Sequence, residues 1–402
     1  MKRFLFLAVL LTALLCVPAL CEEAEDITQK CKITSSGSKY KLSQLYDRNY
    51  RTNYVITKST RAHLLAEAPG GEEIHGVYVC FGDGPVPWQL EVKHKGIWQA
   101  VYESTGAYAH EFVPLEEGAS EFRIRPSAEN KSVSLAITEL FVFGPGDIPD
   151  YVQRWQPAPE KADLMVLAAH PDDEVLFFGG VLPTYAGERK KSVVVVYMTC
   201  GTMQRRSELL NGLWAMGVRT YPEIAYFYDK YATKLDKGYD IWGKKKTNAY
   251  LVEMLRRYRP DVVVTHDVNG EYGHGAHRVC ADAMTNCVGF AADPASFPES
   301  AGYGPWQVKK LYLHLYGENA IEMDWDQPLS AFDGKTAYEM ALEGYACHVS
   351  QHEAGQKNPA TGKFEYFTVE PRDSENSCYR FGLRLSTVGP DVNGNDLFEN
   401  IP

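Results

Sequence analysis

Five short, mostly apolar runs between residues 164 and 315 limit what this chain can fold into more than any other feature. They are Leu164-Met165-Val166-Leu167-Ala168, Ser192 to Tyr197, Ile224 to Phe227, Asp261 to Val264 and Leu311 to Leu315. Runs this short, unbroken and rich in β-branched residues are strands buried on both faces. The stretches between them read as helices. Arg206 to Gly217 places apolar residues at Leu209, Leu210, Leu213, Trp214 and Met216, and Ala249 to Tyr258 stops ahead of Pro260. Strands alternating with helices predict an α/β doubly wound, mostly parallel, Rossmann-like sheet. In such sheets ligands bind at the carboxyl ends of the strands.

Two chemically dense stretches sit at such ends. Ala169-His170-Pro171-Asp172-Asp173-Glu174 follows the first run and precedes Val175-Leu176-Phe177-Phe178-Gly179-Gly180, an apolar helix start with glycines for close packing. Carboxylates beside a buried strand must be paired or bound to a cation, since bare ones cost several kcal/mol. Imidazole nitrogen with carboxylate oxygen is a donor set that suits zinc. His170 and Asp173 are therefore expected to hold a metal, with Asp172 free beside it. The competing reading is a strand-to-helix turn whose aspartates cap the helix. The second stretch, Thr265 to His277, follows the strand ending at Val264 and carries Asn269-Gly270 and Gly273-His274-Gly275, the composition of a loop. His274 and His277, three apart where a helix begins, point the same way. One can complete a metal site and the other face a substrate.

Upstream the rhythm is different. From about Cys31 to Gly146, alternating runs such as Trp88 to Val92 and Glu121 to Arg125 are separated by Gly, Pro and Asp, which predicts an antiparallel β-sandwich. The Pro- and Gly-bearing segment 147–161 reads as a linker. The tail 353–402, with strand-like runs at 364–369 and 379–385, reads as a β-rich extension packing on the second domain, either as structural cover or as a wall of its cleft. At the start, Met1-Lys2-Arg3 and the apolar run Phe4 to Leu20 have the layout of a secretory signal peptide, 1–21. Export permits disulfides, and Cys31 with Cys80 or Cys347 with Cys378 are conceivable pairs. A formal charge of -11 over 402 residues, with no dense basic tract, argues against a nucleic-acid partner. Beyond the leader, no stretch resembles a membrane helix.

The two dense stretches together resemble the PIG-L/LmbE-like zinc de-N-acetylases. Arg205-Arg206-Ser207-Glu208-Leu209, Ala215-Met216-Gly217-Val218 and His348-Val349-Ser350-Gln351 add to the likeness, which spans a domain at 162–352. The resemblance implies zinc held by His170, Asp173 and His277 with water in the open position, the form of a catalytic site. It implies Asp172 as the general base on that water. His274, if protonated, would stabilise the oxyanion or protonate the leaving amine. Tyr272, Arg205 and Asp229 would contact the substrate. Many members read His-Pro-Asp-His where this chain has His274-Gly275-Ala276-His277, so the aspartate that charges the first histidine is missing; Asp267 or Glu271 are the possible substitutes. The segment 31–146, through Ser43 to Asn53 and Ile137 to Gly144, resembles the discoidin-like, galactose-binding-like jelly roll. That implies a carbohydrate-binding or docking module, beside the alternative of a packing domain that binds nothing.

The expected protein is thus an exported, secreted or cell-surface, two-domain zinc hydrolase that removes acetyl groups from N-acetylglucosamine-type sugars or glycans. A zinc amidase acting on a non-sugar acetamide or thiol conjugate is the alternative. So is a non-catalytic glycan-binding protein, which the joint presence of His170, Asp172, Asp173 and His277 disfavours.

Overall fold

The computed structural model describes residues 22–36, 40–57, 61–82, 84, 86–127, 134–352, 356, 357, 364, 365 and 367–401. The leader 1–21 lies outside them. The first unit contains β1 (Lys32–Ser35), β2 (Tyr54–Ile56), β3 (Leu64–Glu67), β4 (Ile74–Phe81) and β5 (Trp88–His94). It continues with β6 (Ile97–Ser104), β7 (His110–Ala119), β8 (Glu121–Pro126) and β9 (Leu135–Phe143). These strands form two antiparallel sheets, ordered β1-β3-β8-β5-β6 and β2-β9-β4-β7. Alternation explains the pairing of faces: in β8, Phe122 and Ile124 are buried while the flanking charged residues are partly exposed. Trp88 and Leu90 of one sheet share a core with Val77, Val79, Leu140 and Val142 of the other, which makes a sandwich. Strand β9 is buried at every position because its outer face is covered too. There Phe141 and Phe143 pack with Val152. The segment expected as a linker is therefore a packed seam, with Val152, Gln153 and Trp155 all buried.

The second unit runs β10 (Leu164–Ala168), α1 (Asp173–Leu176), β11 (Val193–Tyr197), α2 (Met203–Ala215), β12 (Glu223–Ile224) and α3 (Leu235–Trp242). Then come α4 (Lys244–Tyr258), β13 (Val262–Thr265), α5 (Gly275–Ala292), β14 (Lys310–His314), β15 (Ala320–Glu322), α6 (Ala337–Ala346) and α7 (Val349–His352). A short hairpin, β16 (Gln356–Lys357) with β17 (Phe364–Glu365), and β18 (Arg380–Ser386) close it. The sheet order is β12-β11-β10-β13-β14-β18-β15. The pairs from β12 to β14 are parallel, whereas β18 runs antiparallel to both neighbours. Alternate residues of β10 face opposite cores. Leu164, Val166 and Ala168 pack with Leu209, Leu213 and Ala341 of α2 and α6; Met165 and Leu167 pack with Leu251 and Val279 of α4 and α5.

Three expectations change. The strand expected at 224–227 ends at Ile224, because Tyr226 takes a positive φ of 52° and turns the chain. The tail is not an appendage: β18 is a strand of the central sheet, with Phe381 and Leu383 in its core. All seven described cysteines are free, Cys31, Cys80, Cys347 and Cys378 among them. Among the described residues no helix is long and apolar enough to cross a membrane.

Buried polar contacts join the units. His110 Nε2 lies 3.2 Å from Ser207 Oγ, Gln153 donates to Asn211 Oδ1 at 2.7 Å, and Arg206 donates to the carbonyl of Gly82.

Candidate active site

Strand β10 ends at Ala168, and the next four residues turn through the carboxyl edge of the sheet into the single turn of α1. Asp172 occupies the N-cap position of α1 but makes no capping side-chain bond, and its φ is 115°. The capping role is therefore not what these aspartates perform. A positive φ in a residue with a Cβ is strained and needs surrounding contacts to hold it. Asp173 folds back instead: its Oδ2 accepts the backbone N–H of His170 at 2.7 Å.

Strand β13 delivers the other half. Its loop leads into α5, where His274 is the N-cap, its Nδ1 accepting from Ala276 N at 3.3 Å, and His277 follows inside the first turn. The rings of His170 and His274 are 4.9 Å apart, and those of His274 and His277 are 4.7 Å apart. The structure thus brings His170, Asp172, Asp173, His274 and His277 onto one cavity of about 220 Å³. Arg205, Asp229 and Tyr272 line it as well, with Leu176, Tyr231 and Phe367 completing the wall. A cavity of about 570 Å³ opens between the sandwich and the 145–155 segment, and one of about 610 Å³ along the seam between the units. Among the described residues, neither holds a donor trio of the kind found here.

The donor atoms fit a metal ion. His170 Nδ1 is 3.2 Å from Asp173 Oδ2, His277 Nε2 is 3.3 Å from Asp173 Oδ1, and the two nitrogens are 3.3 Å apart. A tetrahedral ion with bonds of about 2.0–2.1 Å sets its ligands roughly 3.3–3.4 Å apart. His170, His274 and His277 form another close trio of donors, and so do Asp173, His266 and His277. His266 is already engaged, since its Nε2 accepts the Ala169 N–H at 3.0 Å and its Nδ1 lies 2.9 Å from Glu271 Oε2. Burial works against the charge on Asp173, but His277, His170 and His266 outweigh it and hold the carboxyl well below its usual range. Burial likewise lowers His277, yet Asp173 and Glu271 outweigh it and carry the ring up to about 10. A cation between these groups satisfies the same charge balance.

Asp172 is different in kind. Burial pushes its carboxyl up to about 6, with Arg205 opposing and Asp173 adding to the rise. Arg205 Nη2 lies 3.2 Å from Asp172 Oδ1 and Nη1 lies 3.9 Å from Asp229 Oδ2, so the arginine clamps one carboxylate and faces the cavity beside another. Asp229 Oδ1 is 3.7 Å from His170 Nε2, which places it behind a donor histidine as much as at a substrate edge.

The sequence offered Glu271 only as a substitute for the aspartate missing beside His274, and it gave His314 no role. Glu271 is fully buried and serves three imidazoles: Oε2 meets His266 Nδ1 at 2.9 Å and His277 Nδ1 at 2.8 Å, and Oε1 meets His314 Nδ1 at 2.7 Å. Its oxygens being so engaged, Glu271 does not substitute for the missing aspartate beside His274, and no described contact ties Asp267 to that ring. Burial pushes His274 down to about 2, with His277 and His170 adding to the fall. The sequence left the protonation of His274 open; with Nδ1 accepting the Ala276 N–H, the neutral form of the ring carries its hydrogen on Nε2. Phe367, from the tail, packs its ring tilted against Tyr272, 5.1 Å between centroids, so the tail does wall the cleft. His314, in an apolar run, carried no sequence signal beyond being a histidine on a buried strand.

A family model described as PIG-L, GlcNAc-PI de-N-acetylase, matches residues 165–288. The chain is 31% identical over 200 residues to 1D-myo-inositol 2-acetamido-2-deoxy-alpha-D-glucopyranoside deacetylase 1 of Frankia alni, over 42% of this chain and 68% of that protein. It is 26% identical over 295 residues to the protein of the same name from Frankia casuarinae, over 59% and 94%. Among solved structures, N,N'-diacetylchitobiose deacetylase from Pyrococcus horikoshii aligns with 47% of this chain and 71% of its own at 20% identity and a TM-score of 0.37.

Proposed function

This chain belongs to the PIG-L family of de-N-acetylases, a family of hydrolases, and from that premise we propose that it is an exported zinc enzyme removing acetyl groups from N-acetylglucosamine-type sugars or glycans. The observation that carries the reading is the triangle of His170, Asp173 and His277 donors with the Arg205-paired carboxylate of Asp172 beside it. The relatives are named as deacetylases of an acetamido sugar. His170, Asp173 and His277 would hold the zinc ion, which when bound supplies Lewis acidity toward the acetamide oxygen.

The chain's own groups account for the proton movements. Asp172 takes a proton from the attacking water as the water oxygen bonds to the acetamide carbon. A carboxyl lifted toward neutrality is better matched to that task than an ordinary aspartate. Neutral His274 offers its Nε2–H to the negative charge that builds on the carbonyl oxygen. The proton on Asp172 then passes to the departing nitrogen as the C–N bond breaks, leaving acetate and the free amine. Arg205 keeps Asp172 oriented, and with Asp229 and Tyr272 it lines the place where sugar hydroxyls would lie. The sandwich of 31–146 is proposed as a galactose-binding-like module that keeps the enzyme near its glycan, and the 1–21 leader as the reason for export.

The test is metal content with amine release from N-acetylglucosamine oligomers and from an N-acylated amino acid. We expect about one zinc per chain and release from the oligomers. Asp172→Asn should keep the zinc and lower kcat by roughly 10²–10⁴-fold. Faster turnover of the acylated amino acid would move the substrate class away from sugars, and a chain without bound metal would end the hydrolase mechanism.

A further inference from the structure

The turn His348-Val349-Ser350-Gln351 has no part in the chemistry above, yet two lines of contact run from it to Asp172. His348 Nε2 lies 3.2 Å from Glu174 Oε1, with both side chains fully buried. The other oxygen of Glu174 accepts the backbone N–H of Asp172 at 2.9 Å. Two residues along, Ser350 donates its backbone N–H to Glu208 Oε1 at 2.8 Å and its hydroxyl to Oε2 at 2.5 Å. Glu208 lies on α2, three residues after Arg205, whose guanidinium reaches Asp172 Oδ1.

These contacts close a ring: Asp172, Glu174, His348, Ser350, Glu208, the first turns of α2, Arg205 and Asp172 again. Asp172 is also the residue in it whose backbone is strained, at φ 115°. A strained residue persists only when its neighbours over-determine it, and the Glu174 carboxylate on its N–H is such a neighbour. The fold makes room for the ring of His348 by a glycine: a Cβ on Gly212 of α2 would stand 3.2 Å from His348 Nε2.

We infer that His348 and Ser350 are positioning residues, which fix the carboxylates of Glu174 and Glu208 and through them hold Asp172 and Arg205 in register over the cavity. This rests on the reading of Asp172 as the base. Glu174 without its buried partner relaxes, the Asp172 N–H loses its acceptor, and the turn drifts from the strained conformation.

The experiment uses the full-length zinc-loaded protein with His348→Ala, His348→Gln, Ser350→Ala and Asp172→Asn. In His348→Ala we expect amide exchange in the segment 169–176 to speed up about tenfold or more. We expect kcat to fall roughly 10–100-fold with KM and zinc content unchanged. Gln, which keeps a donor, should recover part of both. Adding His348→Ala to Asp172→Asn should cost no further activity, because both act through the same group. Losses that multiply in the double variant, or a fall that follows zinc loss, would overturn the inference. If His348→Ala does not fold, Ser350→Ala carries the same non-additivity test. If the wild-type chain releases no amine, the proposed function fails while the exchange measurement still decides this one.

Discussion

Glu271 shows how much of the site depends on one side chain that touches no substrate. Its carboxylate is fully buried, which alone would disfavour the charge, but His266 and the hydrogen bonds from His266, His277 and His314 hold it well below the usual carboxylate range. The bond to His277 Nδ1 fixes which nitrogen of that ring points at Asp173 and makes it the better donor. Gln at 271 keeps the shape but loses the charge and offers only one acceptor oxygen. We expect Glu271→Gln to weaken zinc affinity about 10–100-fold, read by titration against a competing chelator; a change under about threefold would remove Glu271 from the support of the metal centre. His170, Asp173 and His277 were legible because each sits in a short string of unlike chemistry at the end of a buried strand. His314 was not, because it comes 43 residues after Glu271 and nothing local marks it. Only the pairing of β13 with β14 brings the two together.

Elements were read best where the hydrophobic period ran uninterrupted. β10 falls on the residues expected, since an apolar run bounded by Asp163 and His170 admits one register. The tail was misread because β18 alternates, as an exposed edge strand would, whereas its place between β14 and β15 comes from pairing that no local pattern encodes. A chain ending at His352 would strip β18 from β14 and expose the core face that Phe381 and Leu383 cover. We expect it to be insoluble or to melt without a cooperative transition, whereas a soluble product with a sharp thermal transition would restore the appendage reading. The α2–α6 contact makes an opposite demand on composition. A Cβ on Gly212 would stand 2.9 Å from the Gly344 carbonyl oxygen, backbone that cannot move alone. Ala is better than Gly in a helix by about 0.8–1.0 kcal/mol, yet forcing two helices apart costs about 1–3 kcal/mol. Gly212→Ala should therefore lower stability in urea unfolding, and a gain would show that the helices are free to part.

At the scale of the whole molecule, the seam between sandwich and catalytic unit rests on a histidine that the fold keeps uncharged. His110 is fully buried, with Nδ1 2.9 Å from Gln153 Oε1 and Nε2 3.2 Å from Ser207 Oγ of α2. Burial pushes its imidazole down to about 3, Gln153 opposing and Arg206 adding to the fall. In the unfolded chain the same ring titrates near 6.5. Below that pH the unfolded chain binds a proton that the folded one excludes, so stability falls as the pH falls, by about 1.4 kcal/mol per unit until the folded value is reached. His274, pushed down to about 2, acts in the same sense over the same range, and Asp172, lifted to about 6, also titrates there. The depressed carboxyls of Asp173 and Glu271 lose their contribution chiefly below about pH 4, and that of the raised His277, whole below its unfolded value, is lost as the pH rises toward about 10. Comparing the wild-type chain with His110→Gln over the window from pH 6.5 to 5 therefore isolates His110, since the other titrating groups are common to both proteins. Over it the wild-type chain should lose about 2 kcal/mol more in urea unfolding than His110→Gln, which carries no titrating group. Equal losses in the two proteins would mean that the ring takes up its proton inside the fold, and that the seam opens locally in acid without unfolding the units it joins.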